Sequence, residues 1–379
     1  MLNLFLSFLR LGLTAFGGPA MIAHIKEMSV TRNKWLDDDT FKDGVALCQS
    51  IPGATAMQMA AYVGLKSKGM AGAFLSYLGF GLPAFILMLS LSALYAKAHD
   101  LSQVISVLNG LQVAVVAIVA NATILFGRTT LKDFMSIALA SAASALFWLG
   151  VSPFIVVMGA GIAGMISSGR VGGISSPLPN QAKKCGVLRG VLWLSLIIAF
   201  FLLILFFVAP RLCRLALLMI KVDLFAFGGG FASLPLMLHE IVTVKGWMDS
   251  KTFMDGVALG QVTPGPIVIT STFVGYMLYG APGAVVATAA IFTPSFLILV
   301  TTAPIFDRFK ASVFYHGAVR GVLASFVGLL LFVTLRFASA VPWDVARLAV
   351  TCGLFVLLIK RVDIVYVVLA AAAVSVFIF

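Results

Sequence analysis

The sequence predicts an all-α polytopic membrane protein, with about 13 transmembrane helices in a 6+1+6 inverted-topology repeat with broken or re-entrant helices. Of its 379 residues, 61% are hydrophobic and only 11% are charged, and the mean hydropathy is +1.08. Soluble domains carry roughly 25% charged residues. Apolar runs of about twenty residues, the length that crosses a bilayer core, recur along the chain. The third observation is an internal duplication.

The duplication is clearest in two polar phrases. "DGVALCQSIPG" begins at Asp43 and "DGVALGQVTPG" begins at Asp255, with eight of eleven positions identical. In the same way "FLRLGLTAFGGP" matches "MIKVDLFAFGGG", and "KWLDDDTFKDGVAL" matches "GWMDSKTFMDGVAL". The sequence therefore predicts an N-terminal repeat over 1–168, a linker with one extra transmembrane helix over 169–209, and a C-terminal repeat over 210–379.

Each repeat divides into about six apolar spans. An even-numbered unit followed by one extra crossing enters the membrane upside down the second time, which is how many secondary transporters are built. The spans are expected near 2–17, 43–65, 70–96, 102–127, 131–149 and 152–168, then 187–208 unmatched, then 212–228, 255–278, 281–305, 311–337, 343–359 and 362–378.

Loop charge indicates the orientation. With the N-terminus in the cytoplasm, 14 Lys and Arg residues fall in cytoplasmic loops and nine fall outside, and positive loops prefer the cytoplasm. The N-terminus is therefore expected inside and the C-terminus outside. The segment 18–42 conflicts with this scheme, because it places four positive residues outside. A re-entrant segment would remove the conflict, and so would a different topology.

Proline and glycine interrupt the apolar runs at matching places. Pro52-Gly53 and Pro264-Gly265 break a helix, because proline lacks a backbone donor and glycine admits left-handed conformations. Within a membrane such a break is tolerated only where protein or water satisfies the freed groups. The helix that restarts after the break presents bare N–H groups and the positive end of its dipole.

A second pair of breaks lies at the Phe-Gly-Gly segments, where new helices begin. Four helix N-termini are thus predicted to converge near the midplane, and converging N-termini favour an anion site. The residues at these breaks are Phe16, Gly17, Gly18 and Pro19 in the first repeat and Phe227, Gly228, Gly229 and Gly230 in the second.

Polar side chains near the breaks are further binding candidates. Arg10 and Lys221 lie at matching places within apolar spans, where cations are costly and usually functional, although snorkelling to the interface is the alternative. Gln49 and Gln261 offer amide donors to an oxyanion, or bond another helix. Asp43 and Asp255 are candidates for proton relay or charge balance, although a dipole role early in a helix is more common. Asp37 and Asp249 are expected to be N-caps.

Several classes of function are disfavoured. The four cysteines show no C-x-x-C and the four histidines no ligand spacing, so no metal or cofactor is expected. No phosphate-binding motif and no paired catalytic arrangement occurs in the spans, which argues against an ATPase or another enzyme. The net charge of +12 lies mostly beside apolar spans, which indicates a bilayer rather than nucleic acid.

These motifs resemble the chromate ion transporter family in its long, two-domain form. The likeness rests on "LGLTAFGGP", "QSIPGA", "FGGGFASLPLMLHEIV" and "GQVTPGPIVITSTFVGY" and covers nearly the whole chain. It implies a plasma or inner membrane exporter of chromate, with sulfate as the close analogue, that confers chromate resistance. It also implies that the Phe-Gly-Gly and Pro-Gly segments are the functional motifs. "SIPGAT" departs from the expected Pro-Gly-Pro.

Alternatives stay open beside this interpretation. The lack of a nucleotide-binding motif favours export driven by the membrane potential, because a dianion leaves a negative cell down the electrical gradient. Obligatory proton coupling through Asp43 or Asp255 is the rival. The cargo is chromate or, alternatively, sulfate or another anion, and a non-transport membrane protein is less favoured. A homodimer is one assembly that the sequence allows.

Overall fold

The computed structural model describes residues 1–14, 18–98, 101–168, 184–306 and 312–378, and all regular secondary structure in these ranges is helical. The first half contains seven described α-helices, and α2 continues into a π-helical turn over Glu27–Arg32. Their bounds are α1 Leu2–Thr14, α2 Gly18–Lys26, α3 Asp38–Ser50, α4 Thr55–Ala98, α5 Ser102–Thr130, α6 Phe134–Trp148 and α7 Pro153–Ser168.

The second half repeats these elements in the same order. The helix α8 precedes them, at the place of the extra span that the sequence predicts near 187–208. A π-helical turn over His239–Val244 follows α10, and a 3-10 turn over Ile267–Ile269 precedes α12. The bounds are α8 Lys184–Val208, α9 Pro210–Phe225, α10 Gly230–Leu238, α11 Ser250–Val262, α12 Thr270–Thr302, α13 Val313–Ala340, α14 Val345–Ile359 and α15 Ile364–Ile378.

The longest helix of each half is in fact two antiparallel helices. In α4 the backbone leaves the helical conformation at Lys68 and Gly69, where Gly69 has φ +70°. The chain then reverses, since the Ser76 hydroxyl donates to the Ala60 carbonyl at 2.7 Å. The two parts are named α4a (55–68) and α4b (69–98). With about 14 residues at 1.5 Å each, α4a is too short to cross a ~30 Å core.

In α12 the same reversal occurs at Tyr279 and Gly280, where Gly280 has φ +64°. The Thr272 and Thr288 hydroxyls lie 2.7 Å apart across it. The parts are named α12a (270–279) and α12b (280–302). The two halves therefore share not only helices but the glycine that turns them.

Pro-Gly marks a second reversal in each half. A Cβ on Gly44 would lie 2.5 Å from the Tyr62 ring, and a Cβ on Gly256 would collide with the Phe273 ring. Since Gly44 and Tyr62 are equally far from Gly53, α3 and α4a fold back on each other around Pro52-Gly53. These elements are named the first PG hairpin (α3 and α4a) and the second PG hairpin (α11 and α12a). The prediction of single crossings at 43–65 and 255–278 is therefore wrong, because glycine lets an aromatic ring pack the two arms together.

Phe-Gly-Gly is the tip of a third hairpin, formed by α9 and α10 and named the FGG hairpin. The Lys221 ammonium lies 2.6 Å from the Glu240 carboxylate, nineteen residues away along the chain. The reversal uses positive φ angles at Gly228 and Gly229, +91° and +94°. In the first half, 15–17 lie outside the described residues.

The two halves interlock instead of standing side by side. The first half's α6 and α7 pack on α13, and the second half's α14 and α15 pack on α5. Glycine allows this contact: a Cβ on Gly164 would collide with the Gly317 carbonyl, and a Cβ on Gly321 with the Ala160 carbonyl. Small residues of this kind let membrane helices approach closely.

Corresponding helices of the two halves run in opposite directions where they meet. The hydroxyls of Thr123 on α5 and Thr334 on α13 lie 3.1 Å apart. One turn later along α5, Gly127 approaches Val327, which precedes Thr334 along α13. As residue numbers rise on one helix they fall on the other, so α5 and α13 are antiparallel.

The described helices are those of a membrane protein. Five are long and apolar enough to cross a bilayer by length and composition, when the broken α4 and α12 are each counted once, and six shorter ones are apolar as well. Among the five long helices, the segment Gly190–Val208 contains the most apolar 18-residue window, with a mean hydropathy of 3.1. The expected thirteen crossings are not confirmed by the described part of the chain.

Candidate functional site

The hairpin tips of both halves meet at one place. The Gly53 amide of the first PG hairpin donates to the Ala226 carbonyl of the FGG hairpin at 2.9 Å. A Cβ on Gly229 would lie 3.3 Å from the Thr55 hydroxyl, and a Cβ on Gly230 would lie 2.9 Å from Ile267. This meeting point is named the tip junction, and it comprises 52–55, 226–230 and 264–267.

Glycine is required at both Pro-Gly tips. Gly53 has φ +115° and Gly265 has φ +111°, conformations that L side chains rarely adopt. Each is also crowded, because a Cβ on Gly53 would collide with Ser295 and a Cβ on Gly265 would lie 2.8 Å from Ala84. Ser295 and Ala84 follow the matching prolines of α12b and α4b. The two tips are thus seated in equivalent places, with serine on one side and alanine on the other.

Four buried side-chain atoms of the described residues lack a hydrogen-bond partner, and all lie near the tips. They are Gln58 Oε1, Asp223 Oδ1, Gln261 Nε2 and Ser271 Oγ. Buried polar atoms are nearly always hydrogen-bonded, so an exception points to a ligand or another function. Their distribution is uneven. Two acceptors flank the first PG tip and the FGG tip, whereas an amide and a hydroxyl, both donors, flank the second PG tip.

The donors lie on the two arms of the second PG hairpin. Gln261 occupies the last turn of α11, three residues before Pro264, and Ser271 begins α12a after the 3-10 turn. Both side chains are buried. An amide N–H and a hydroxyl on the two arms, close in sequence to the start of a helix, provide what an oxyanion needs, namely several donors and a positive dipole end.

The acceptors lie near the first PG tip and the FGG tip. The Gln58 amide nitrogen donates to the Pro52 carbonyl at 2.5 Å, which fixes the direction of the amide and leaves its oxygen without a donor. Asp223 is fully buried, and its Oδ2 accepts from the Ser295 backbone amide at 2.7 Å. Tyr77 completes the cluster, since its hydroxyl donates to the Phe292 carbonyl at 2.7 Å and lies 3.1 Å from the Ser295 hydroxyl.

The sequence-based candidate list did not include Asp223. A signal was present, because an ionisable residue inside an apolar span marks a functional site by default. Its equivalent in the first half is Gly12. Because Asp223 occurs in only one repeat, the residues that the two repeats share do not reveal it. The same applies to Glu240, whose equivalent is Met28.

The two predicted cations have different surroundings. Arg10 is exposed on α1. The Lys221 ammonium pairs with the Glu240 carboxylate at 2.6 Å and lies 3.8 Å from the centre of the Phe154 ring. Glu240 is only 8% exposed, so Lys221 compensates a buried carboxylate. The structure thus balances the charge of Lys221 with Glu240, whereas the sequence suggested Asp255.

The two predicted acids also differ. Asp255 is buried and both carboxylate oxygens are satisfied, by the Tyr95 hydroxyl at 2.9 Å and the Gln112 amide at 2.6 Å. It ties α11 to α4b and α5. Asp43 is half-buried and Gln49 is exposed on α3. Equivalent residues of the repeats therefore do not have equivalent environments.

The N-cap predictions are confirmed. Asp37 accepts from the Thr40 amide at 2.7 Å, and Asp249 accepts from the Thr252 amide at 2.8 Å. Next to the first cap, hydrogen bonds from Lys26 and Lys42 lower the pKa of Asp38 to about 2. Of the remaining candidates, Phe16 and Gly17 lie outside the described residues, and only the backbone of Gly18 and Pro19 is described, within α2.

Broken helices whose tips meet inside a bundle, with buried polar atoms that lack partners, are features found in membrane transporters. The family model of chromate transporters matches the chain twice, over 2–165 and 213–376. The chain belongs to the chromate transporter family and is a transport protein, not an enzyme. It is accordingly a multi-pass cell membrane protein.

Similar proteins match over nearly the full length. An uncharacterised transporter of Methanocaldococcus jannaschii is 43% identical over 369 residues, which is 97% of this chain and 92% of that one. The chromate transport protein of Cupriavidus metallidurans is 30% identical over 387 residues, covering 98% and 92%. The chromate transport protein of Pseudomonas aeruginosa is 31% identical over 370 residues, covering 93% and 85%. No solved structure matches.

Proposed function

We propose that this protein exports a tetrahedral oxyanion of the chromate type from the cytoplasm and that the oxyanion binds at the tip junction. The observation that carries the proposal is the set of buried, partnerless donors at the second PG tip, Gln261 Nε2 and Ser271 Oγ. A tetrahedral dianion offers only acceptor oxygens, so donors without partners suit it. Family membership supports the same class of substrate.

The positive charge at the site comes mainly from the backbone. Lys221 is paired with Glu240, and Arg10 is exposed on α1. The helix α12 and the 3-10 turn before it begin just after Gly265, so their first N–H groups face the tip. Sulfate has the same shape and charge as chromate, and it is the first competitor to test.

The membrane potential is the proposed driving force. Each elementary charge gains about 2.3 kcal/mol per 100 mV, so a dianion leaving a cell that is negative inside gains about 4.6 kcal/mol. At about 1.4 kcal/mol per tenfold, this sustains a gradient of roughly a thousandfold. Export lowers the cytoplasmic oxyanion concentration and would confer chromate resistance.

The proposed architecture is an inverted repeat with the N-terminus in the cytoplasm. The antiparallel contact of α5 with α13 supports it, because equivalent helices of inverted repeats run in opposite directions. If the hairpins enter and leave on one side, each half contributes four crossings, and α8 adds the ninth. The repeats 1–168 and 210–379 then face opposite sides of the membrane, joined by 169–209.

Transport by the purified full chain in liposomes tests the proposal. A potassium gradient with valinomycin sets the potential while the pH is equal on both sides. We expect chromate to move toward the positive side at a rate that rises with the potential, and sulfate to compete. Protein-free liposomes are the control. An absence of potential-dependent chromate or sulfate flux in active preparations would overturn the proposed function.

A further inference from the structure

The first PG tip has the opposite chemistry to the second. Here the partnerless atoms are acceptors, Asp223 Oδ1 and Gln58 Oε1, and both are buried. Gly53 links them in space, since a Cβ on it would lie 2.9 Å from the Gln58 amide and collide with Ser295, whose backbone amide binds Asp223. Two buried acceptors that lack a donor can be satisfied by a hydrogen, whereas they would repel an anion.

An ionised Asp223 would be costly here. A buried carboxylate needs a cation or several donors, and the donors described for this one all come from one neutral residue, Ser295. It would also repel a dianion at the same tip junction. Protonation of Oδ1 removes the charge, turns an acceptor into a donor, and leaves the bond to the Ser295 amide in place.

We propose that Asp223 is a proton-binding site of the transport cycle and that it must be protonated before the oxyanion binds at the tip junction. This inference rests on the proposed function. One proton is taken up from the cytoplasmic side with the oxyanion and is released with it on the outside. The pair carries one net negative charge, so the membrane potential still drives export. At equal pH on both sides, the gradient that 100 mV sustains falls from roughly a thousandfold for the dianion alone to about fortyfold for the pair.

The surroundings of Asp223 contain few other titratable groups. Among the described contacts, Tyr77 reaches it from α4b through the Ser295 hydroxyl, and Ser295 itself binds it from α12b. On its own helix, Lys221 points to Glu240 of the π-turn and to Phe154 of α7. Asp255, the rival suggested by the sequence, already has both oxygens hydrogen-bonded.

The experiment compares the wild type with Asp223→Asn in liposomes under a fixed potential. Asparagine has nearly the same shape, can still accept from the Ser295 amide, and mimics the protonated acid. The assay uses alkaline pH, where chromate is fully ionised. We expect the wild-type affinity for chromate to fall up to about tenfold per pH unit as the site loses its proton. The Asp223→Asn affinity should be independent of pH.

A pH-sensitive dye inside the liposomes gives a second readout. The wild type should move one proton with each chromate, and Asp223→Asn should move chromate without protons. Asp344→Asn is the matched control, because Asp344 is an exposed N-cap of α14, and it should behave as the wild type. Unchanged pH dependence and proton movement in Asp223→Asn would overturn the inference.

A measurement on the wild type keeps the test independent of how the variant folds. A hydrophobic carbodiimide reacts with protonated carboxyl groups in apolar surroundings, and peptide mass spectrometry locates the adduct. We expect labelling of Asp223 that decreases as the pH rises. No labelling at any pH, or flux that follows a sodium gradient, would exclude a proton. Wild-type chromate flux without these effects refutes only the inference, whereas no wild-type flux refutes the proposed function.

Discussion

At the scale of single residues, the equivalent positions of the two repeats have diverged in chemistry. Gln261 is buried with a free amide, whereas its equivalent Gln49 is exposed on α3. Asp223 corresponds to Gly12, and Ser295 to Ala84. One tip therefore offers donors and the other acceptors, which suits the binding of an anion and a proton at one junction.

Replacing Gln261 tests the donor side. We expect Gln261→Leu to weaken chromate binding by about tenfold to a hundredfold, because a hydrogen bond to a charged group is worth roughly 1.5–3 kcal/mol. Transport kinetics in liposomes measure the effect. Thermal unfolding should be unchanged or slightly raised, since a buried amide without a partner is replaced by an apolar group.

Gln49→Leu is the matched control for this change. The side chain is exposed, so its loss should alter chromate affinity much less than the loss of Gln261. If the two substitutions weakened chromate binding equally, the difference in burial between Gln261 and Gln49 would have no consequence for the binding site. If Gln261→Leu bound chromate with wild-type affinity, this amide would not be part of the binding site.

The sequence was sufficient to select the breaks but not the partners of each side chain. Pro52-Gly53 and Pro264-Gly265 stood out because proline and glycine have fixed backbone consequences. The salt bridge of Lys221 with Glu240 was not predictable, because it depends on where the chain turns between them. The repeat comparison also favoured residues that are the same in both halves, which excluded Asp223.

At the scale of elements, the hairpin is the unit that recurs. Each PG hairpin has a Pro-Gly tip, a glycine on one arm against an aromatic ring on the other, and a second turn at Gly69 or Gly280. The sequence predicted a helix interrupted within the membrane at these places. It predicted broken or re-entrant helices but not which breaks fold back, because the packing of Gly44 on Tyr62 is a contact between residues far apart in the sequence.

Two glycines with positive φ angles allow backbone strain to be distinguished from side-chain crowding. Gly53 has φ +115° and would carry a Cβ into Ser295, whereas Gly69 has φ +70° and no neighbour within 4 Å of a Cβ. Gly69 has ψ −156°, a backbone conformation that is essentially restricted to glycine, so Gly69→Ala should lose about 1–3 kcal/mol of stability from backbone strain alone. Gly53→Ala should additionally displace the tip and reduce chromate transport by at least about tenfold.

Transport per folded protein, with thermal unfolding alongside, checks this comparison. Ser295→Gly removes the atom that a Cβ on Gly53 would meet, so it should restore part of the activity of Gly53→Ala. If Gly53→Ala and Gly69→Ala behaved alike, the close seating of the tip would have no functional consequence.

At the scale of the whole molecule, the hairpins change the topology expected from hydropathy. If each hairpin enters and leaves the membrane on the same side, the segment 26–42 lies on the same side as the N-terminus. The count of positive residues in loops then shifts from fourteen against nine to sixteen cytoplasmic against seven outside, and this agrees better with the positive-inside rule. The residues that change side are Lys26, Arg32, Lys34 and Lys42, which move inward, and Lys245 and Lys251, which move outward.

Single cysteines distinguish the two topologies. In a background without the natural cysteines, Asn33→Cys should be protected from an impermeant thiol reagent on intact cells, and Lys245→Cys should be labelled. Both positions are exposed at the bases of hairpins. Thirteen crossings predict the reverse pattern. Labelling of both, or of neither, would contradict the inverted repeat itself.

The interlocked packing of α7 with α13 also affects biosynthesis, because α7 enters the membrane well before its packing partner has been synthesised. The glycine of α7 at Gly164 meets its partner Gly317 only after about 150 more residues have left the ribosome. At about 5–20 residues per second, that is a wait of roughly 8–30 seconds in the bilayer. During that interval the small-residue face of α7 is available to the α13 of another nascent copy. The chain therefore has to be kept apart from its neighbours until its own second half arrives.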